Sequence, residues 1–159
     1  MIAELVAAAA LGAAAPSVQC AQRVEGPRPV GPSLPLDLTV GPVTFIGLRY
    51  AADAPAAQVA RRPYRSAAVV RWGPPVTIVV PPADRPHLRL VWTGGSGYAV
   101  TLRPCPPATR ARAYDGAVGP RTAFAASFVA DGPGCRHLEV DVRGRRPRRV
   151  AVAFAGSCR

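Results

Sequence analysis

"HLEVDVRGRRPRRVAVAF", residues 137–154, contains two runs of alternating apolar and polar residues on either side of an arginine-rich connection. Alternation with a period of two is typical of strands that bury one face and leave the other in water. The apolar residues of each run share a face, namely Leu138, Val140 and Val142 in the first run and Val150, Val152 and Phe154 in the second. The stretch therefore predicts an antiparallel hairpin with one buried face.

The same parity predicts a register for this hairpin, because register is strongly specified where one face is buried. The register that keeps every apolar residue on one side joins three pairs: Val142 with Val150, Val140 with Val152, and Leu138 with Phe154. The connection "RGRRPRR", residues 143–149, is then a loop with Gly144 and Pro147 at its turn. Its arginines are expected to be exposed at one end of the sheet.

Six further stretches alternate in the same way, at residues 43–50, 66–72, 76–80, 87–92, 98–103 and 122–129. The 19 prolines and 15 glycines suit short strands joined by turns rather than long helices. Seven or eight short strands, with no convincing helix after residue 20, predict an all-β fold. The expected architecture is an antiparallel β-sandwich of immunoglobulin-like type.

Glycine and proline also mark the connections between these stretches. "GPP" at residues 73–75 is interpreted as a turn, and "TGGSG" at residues 93–97 as the loop of a hairpin between the two strands beside it. Residues 51–65 are expected to be loop with room for one helical turn, and residues 104–121 form a second long loop.

The first 35 residues divide into two segments. Residues 1–21 contain an alanine-rich apolar run that is too short to span a bilayer and has the length of a signal-peptide core. A short hydrophobic helix retained in the fold is the alternative interpretation. Recurring prolines in residues 22–35 predict an extended linker, so a single β-sandwich domain is expected over residues 36–159, with no transmembrane span in the mature form.

Four cysteines occur at wide spacing, at Cys20, Cys105, Cys135 and Cys158. The even number, the absence of a C-x-x-C motif and the presence of only two histidines disfavour a zinc site. Two disulfides formed outside the cytosol are the simplest interpretation, so we expect a secreted or cell-envelope protein. The final hairpin favours a bridge between Cys135 and Cys158, but Cys105 competes for Cys135, and three connectivities remain open.

The formal net charge is +11, and all 20 basic residues are arginines. They form three groups in or beside predicted loops: Arg61, Arg62 and Arg65; Arg110 and Arg112; and Arg143, Arg145, Arg146, Arg148 and Arg149. Because arginine binds phosphate and carboxylate in a bidentate manner, the last group is a candidate contact for anionic envelope polymers or lipid headgroups. The alternative is a solvated surface that follows from GC-rich codon usage. An aromatic content of 6% is low for a carbohydrate or single-stranded nucleic-acid platform, which needs exposed stacking rings, and no specific nucleic-acid binding is expected.

Catalytic and metal-binding residues are not predicted. His137, Glu139 and Asp141 share a strand face, which is better explained as the wet face of the hairpin, since zinc sites usually need more nitrogen or sulfur ligands. No nucleophile is placed beside His87 or His137. Ser96 lies in a glycine-rich turn without the helix that a nucleophile elbow requires. We therefore expect no cofactor.

Several stretches together resemble a set of small exported proteins from high-GC actinobacteria: "GPVTFIGLRYAA", "VVRWGPPVTIVVPPADRPHLRLVW", "LRPCPP", "FVADGPGCRHLEVDVRG" and "RRVAVAFAGSC". The likeness covers most of the chain from Gly41 onward. That group has no assigned activity, so the resemblance implies export and a β domain, and it transfers no functional residues.

Two functions follow as hypotheses. The first is a non-enzymatic exported β-sandwich protein that associates with anionic envelope components through its loop arginines. The second is a secreted hydrolase or enzyme inhibitor whose site lies on the long loops. The second predicts a concave polar site with a perturbed carboxylate or histidine near residues 104–121.

Overall fold

Two β-sheets pack face to face in the computed structural model, which describes residues 14–158. The five-stranded sheet has the spatial order β1 (Ser17–Val18), β8 (Ala99–Leu102), β5 (Val76–Val79), β10 (Gly134–Val142) and β11 (Arg148–Phe154). The six-stranded sheet has the order β2 (Leu38–Val40), β3 (Val43–Phe45), β4 (Tyr64–Arg71), β9 (Arg121–Ala130), β6 (Leu88–Trp92) and β7 (Gly95–Gly97). The expected β-sandwich is thus confirmed.

The strands are antiparallel to their neighbours except β1, which runs parallel to β8. Short helical segments connect some of them: α1 (Ala56–Arg61) and the 3-10 turns Cys20–Gln22, Leu48–Asp53 and Pro82–Asp84. Residues 51–65, expected to be mainly loop, are therefore more helical than the sequence indicates. The α1 helix forms because it buries Val59 against the sandwich.

The core lies between the sheets and contains apolar residues of both. Phe128 of β9 contacts Phe45 of β3 in an edge-to-face arrangement, with ring centroids 5.8 Å apart, and Phe154 of β11 from the opposite sheet at 6.2 Å. Leu138 and Val140 are buried on the inner face of β10, as their alternation predicts. These aromatic contacts join the two layers.

The predicted register of the last hairpin is wrong by four residues. Leu138 pairs with Val150, not with Phe154, and Val140 pairs with Arg148, not with Val152. A shift by an even number keeps every side chain on its face, so alternation alone could not distinguish the two registers. The observed register brings Arg148 into the ladder and closes a shorter loop, in which the Arg145 N–H donates to the carbonyl of Val142 at 2.9 Å.

The predicted hairpin around "TGGSG" is also wrong. Residues 95–97 form β7, which pairs back onto β6, and the chain then crosses to the other sheet as β8. The Trp92 indole lies against this glycine strand, so that a Cβ added to Gly95 would be 3.0 Å from the indole Nε1. Glycine suits this position because a side chain would crowd the indole ring.

Residues that precede position 36 pack against the sandwich. β1 forms an edge of the five-stranded sheet, the Val24 N–H donates to the carbonyl of Ala123 at 2.9 Å, and the Arg121 guanidinium donates to the carbonyl of Gly31 at 3.2 Å. Residues 1–13 of the expected hydrophobic leader (residues 1–21) lie outside the described residues. In the part of the chain that the structure covers, no helix is long and apolar enough to cross a membrane.

Two disulfides resolve the connectivity that the sequence left open. Cys20 is bonded to Cys105 and Cys135 to Cys158, with Cα atoms 4.9 Å apart in each pair. The first bridge attaches the N-terminal segment to the start of the long loop. The second closes the end of the sandwich opposite the arginine-rich turn.

Candidate anion-binding site

One end of the sandwich carries a depression of about 250 Å³ between the two sheets. We name it the Trp72 depression, and its lining residues are Gly41, Pro42, Arg71, Trp72, Gly73, Pro74, Val142, Arg145 and Arg148. Two of the predicted contact arginines, Arg145 and Arg148, thus meet the end of β4 and the β2–β3 turn. The site is formed by both sheets rather than by the hairpin loop alone.

The position of Trp72 is fixed by the backbone just beyond β4. The backbone N–H of Trp72 donates to the carbonyl of Pro120 at 2.8 Å, and the backbone N–H of Arg71 donates to the carbonyl of Pro42 at 2.9 Å. The Trp72 side chain is 47% exposed, which is high for tryptophan. An indole held at the surface offers a flat apolar face to a ligand.

Arg148 reaches the site because of its place in the β11 alternation. It projects to the same side of the sheet as the inward-facing Val150. However, it is the first residue of β11 and lies beyond the edge of the hydrophobic core. Its side chain packs over the β2–β3 turn, with its Cδ 3.8 Å from a Cβ added to Gly41. Gly41 has a φ of 59°, so the turn itself favours glycine.

The positive charges around Trp72 are not compensated by neighbouring carboxylates. Within residues 14–158, no carboxylate oxygen lies within 4.0 Å of a guanidinium nitrogen of Arg71, Arg145 or Arg148. Arg71 of β4 stands directly opposite Arg121 of β9 in the ladder, and like charges in this position are unfavourable. A bound anion would provide acceptors for the planar guanidinium donors of Arg71, Arg145 and Arg148.

The remaining arginines of the turn lie outside the Trp72 depression. Arg143 lines a neighbouring depression, and Arg146 is exposed in the turn. Arg149 projects to the opposite face from Arg148, and its Nη2 lies 3.9 Å from a carboxylate oxygen of Asp84. Of the five predicted contacts, the structure therefore brings two together at the Trp72 depression.

The other arginine groups have different surroundings. Arg61, Arg62 and Arg65 are exposed around the end of α1 and the start of β4. Arg112 is engaged with Glu25, whose carboxylate also accepts hydrogen bonds from the backbone N–H groups of residues 112 and 113. Arg112 therefore connects the long loop to the N-terminal segment, and the carbonyl of Arg110 accepts a hydrogen bond from the Arg23 guanidinium at 3.1 Å.

Histidine–carboxylate pairs occur away from the Trp72 depression. The Nδ1 of His137 lies 3.0 Å from the buried Asp84, and the Nδ1 of His87 lies 2.6 Å from Asp131. The hydrogen bond from His87, with help from Arg136, lowers the pKa of Asp131. Among the described residues, no group of three or more histidine, cysteine, aspartate or glutamate side chains is arranged to hold a metal ion.

Sequence reasoning did not assign Arg71 to the site. The dipeptide "RW" before "GPP" was the available signal, because it places a guanidinium and an indole at a strand end. The convergence with Arg145 and Arg148 depends on which loops of the two sheets meet, and this is not readable from local spacing. Comparison of the chain with protein-family models, with curated proteins and with solved structures finds no match.

Proposed function

We propose that the protein is an exported, non-enzymatic β-sandwich that binds anionic components of the cell envelope at the Trp72 depression. One observation carries this proposal: three arginines without carboxylate partners line the same depression as a half-exposed tryptophan. Arginines bind phosphate, sulfate or carboxylate groups, and the indole packs against the ring or chain that carries them. Export is supported by the two disulfides, which persist in oxidising compartments.

We further propose that the sandwich is of the immunoglobulin-like type. The neighbours β3, β4, β9 and β6 follow the order A, B, E, D of that fold, and β5, β10 and β11 follow the order C, F, G. β8 lies beside β5, where an additional strand of the variable type lies, although it follows β6 along the chain. In immunoglobulin-like domains the loops at the ends of the sandwich bind ligands, and the Trp72 depression lies at such an end.

Binding of a defined polyanionic fragment tests the proposal. A heparin-derived tetrasaccharide is titrated while the fluorescence of the protein is followed, because a ligand near Trp72 changes the emission of its indole. We expect saturable binding, and we expect the double variant Arg145→Ser/Arg148→Ser to weaken it by about tenfold, which corresponds to about 1.4 kcal/mol.

A matched control separates a site from general charge. The variant Arg61→Ser/Arg62→Ser removes the same charge from an exposed helix end, and we expect its affinity to stay within about twofold of the wild type, a small free-energy change. Equal losses in the two double variants would show that net charge alone attracts the ligand, and the proposed site would then be abandoned.

The hydrolase or inhibitor alternative predicts a perturbed acid or base near residues 104–121. The perturbed carboxylate in that region is Glu25, and its pKa is lowered to about 2 while its oxygens accept hydrogen bonds from the loop backbone. A general acid needs the opposite shift. This observation favours a structural role for Glu25, so we do not advance the alternative.

A further inference from the structure

The Trp72 depression adjoins a second basic depression on the outer face of the six-stranded sheet. We name this one the Arg121 depression; its volume is about 70 Å³, and Ser33, Thr39, Thr44, Arg71 and Arg121 are among its lining residues. Arg71 lines both depressions, and Gly41 and Pro42 form their common wall. The basic surface therefore continues from the end of the sandwich onto one outer face.

A third depression continues this surface onto the opposite outer face. We name it the Arg103 depression; its volume is about 500 Å³, and its lining includes Pro75, Thr77, Arg103, Asp141 and Arg143. No residue lines both this depression and the Trp72 depression, but the two are neighbours along the chain at two places: Pro74 and Arg145 line one, and the nearby Pro75 and Arg143 line the other. The three depressions follow one another around the end of the sandwich, and we call this succession the path.

Six arginines lie along this path: Arg121, Arg71, Arg148, Arg145, Arg143 and Arg103. Among residues 14–158, none of them has a carboxylate oxygen within 4.0 Å of a guanidinium nitrogen. Asp141 is the acidic member of the lining, and its charge leaves the path with a large positive excess. Hydrogen bonds hold the two outermost guanidinium groups, from Arg103 to Ser17 at 3.0 Å and from Arg121 to Gly31 at 3.2 Å.

We propose that the ligand is a linear anionic polysaccharide that passes through all three depressions. This inference rests on the proposed function and names its ligand class. The charges are distributed along a path instead of converging on one point, which suits a chain with repeated acidic groups better than a single anion. The mixed polar and apolar lining of the three depressions also suits a sugar chain, whose rings have both hydroxyl groups and apolar faces.

The geometry distinguishes this ligand from a lipid surface. Arg121 and Arg103 lie on opposite outer faces of the sandwich, and packed sheets are about 10 Å apart. A flat bilayer can contact the end of the molecule but cannot reach both outer faces at once. A flexible chain can bend around the end and contact both.

The aromatic content of the path distinguishes the polysaccharide from single-stranded nucleic acid. Nucleic-acid grooves present several aromatic rings on which successive bases stack. Trp72, in the Trp72 depression, is the one aromatic residue among those that line the three depressions. One indole supports one ring contact, and the remaining contacts are left to acidic groups on the chain.

The test compares heparin-derived oligosaccharides of two lengths. The wild-type protein is expected to bind a dodecasaccharide at least about tenfold more tightly than a tetrasaccharide, because the longer chain occupies all three depressions at high effective concentration. The variant Arg103→Ser/Arg121→Ser removes only the outer contacts. It is expected to bind the tetrasaccharide with the affinity of the wild type. It should lose most of the affinity that the wild type gains between the tetrasaccharide and the dodecasaccharide.

Two controls keep the result interpretable. Thermal unfolding of the variant shows that its fold is retained, and Arg103→Lys/Arg121→Lys, which keeps the charge, is expected to restore most of the gain with length. If the wild type gains no affinity with length, or if the serine variant keeps the full gain, the path is refuted. The Trp72 site would survive such a result as long as the tetrasaccharide still binds there.

The other ligand classes appear as opposing outcomes. Tighter binding of an oligothymidylate than of a dodecasaccharide of equal charge would overturn the polysaccharide in favour of nucleic acid. Tighter binding to phosphatidylglycerol vesicles, unaffected by Arg103→Ser/Arg121→Ser, would overturn it in favour of a membrane surface. Absence of tetrasaccharide binding would refute the proposed function itself.

Discussion

At the scale of single residues, Glu25 connects the N-terminal segment to the long loop. Its Oε2 accepts the N–H groups of Arg112 at 2.6 Å and Ala113 at 2.8 Å, and its Oε1 pairs with the Arg23 guanidinium. Desolvation acts to raise the pKa of Glu25, but these hydrogen bonds and the Arg23 charge outweigh it and lower the pKa to about 2. The ionised carboxylate is therefore the form that stabilises the fold.

This shift predicts how stability depends on pH. The folded pKa, about 2, lies below the ordinary value of 4.5, so the contribution of Glu25 is present above pH 4.5 and is lost as the pH falls towards 2. Glu25→Gln is expected to unfold at lower denaturant concentration than the wild type at neutral pH. The difference between their midpoints should shrink between pH 4.5 and pH 2.

The Glu139→Gln variant serves as the comparison, since this residue lies on the wet face of β10. Chemical denaturation followed by fluorescence measures all three proteins over the same pH range. A difference between Glu25→Gln and the wild type that stays constant down to pH 2 would contradict the assigned role.

Gly95 is a second residue with a specific steric role. A Cβ at this position would be 3.0 Å from the Trp92 Nε1 and 3.2 Å from its Cε2. We expect Gly95→Ala to destabilise the protein by about 1–3 kcal/mol through displacement of the ring. Gly31→Ala, where a Cβ meets nothing within 4 Å, should change the denaturation midpoint little; equal effects of the two variants would disprove the steric account.

At the scale of elements, alternation predicted the faces of the strands but not their partners. The buried face of β10 was readable because Leu138, Val140 and Val142 alternate with polar residues. The hairpin register could not be read from the sequence, because an even shift leaves that pattern unchanged. The number of hydrogen bonds in the ladder decides between the registers. The strands β1, β2 and β7 have two or three residues each, which is too short for any periodicity.

Connections between strands were the other source of error. The turn predicted at residues 73–75 carries the chain from β4 to the other sheet, and the chain after β7 also crosses to the other sheet instead of closing the hairpin predicted around "TGGSG". Glycine and proline mark a change of direction in either case, so local sequence predicts that the chain turns but not which sheet it joins next.

The two disulfides are expected to differ in their contribution to stability. Cys20–Cys105 closes a separation of 85 residues and Cys135–Cys158 one of 23. Loop-closure entropy assigns about 4.6 kcal/mol to the first and about 3.4 kcal/mol to the second. Thermal unfolding of Cys20→Ser/Cys105→Ser and of Cys135→Ser/Cys158→Ser should show the larger loss in the first pair; the reverse order would mean that native contacts, not chain entropy, dominate.

At the scale of the whole molecule, the net charge of +11 was visible in the sequence, whereas its arrangement was not. The turn arginines could be named as candidates because they cluster along the chain. Arg71, Arg103 and Arg121 come from three separate strands or strand ends, and they join the same path only when the sandwich closes. Composition therefore predicts an affinity for anions, and the site proposed for it depends on how the fold arranges the arginines.

This distribution predicts a strong effect of ionic strength. The affinity for the dodecasaccharide should fall steeply with salt and should be largely lost at about 0.5 M, where the screening length is about 4 Å. Titration by calorimetry over a series of NaCl concentrations measures the slope, which should be shallower for Arg103→Ser/Arg121→Ser. Binding that survives high salt unchanged would rule out the electrostatic account.

The position of Cys158 relative to the basic path determines how the molecule can be attached to a surface. Ala14 and Ala15 line the Arg103 depression, so the first residues that the structure describes lie beside the contact surface. Cys158 is held by its disulfide at the opposite end, where β10 begins and β11 finishes. A biotin or a sensor-chip tether placed at the carboxyl terminus would thus orient every molecule with its six arginines towards the solution.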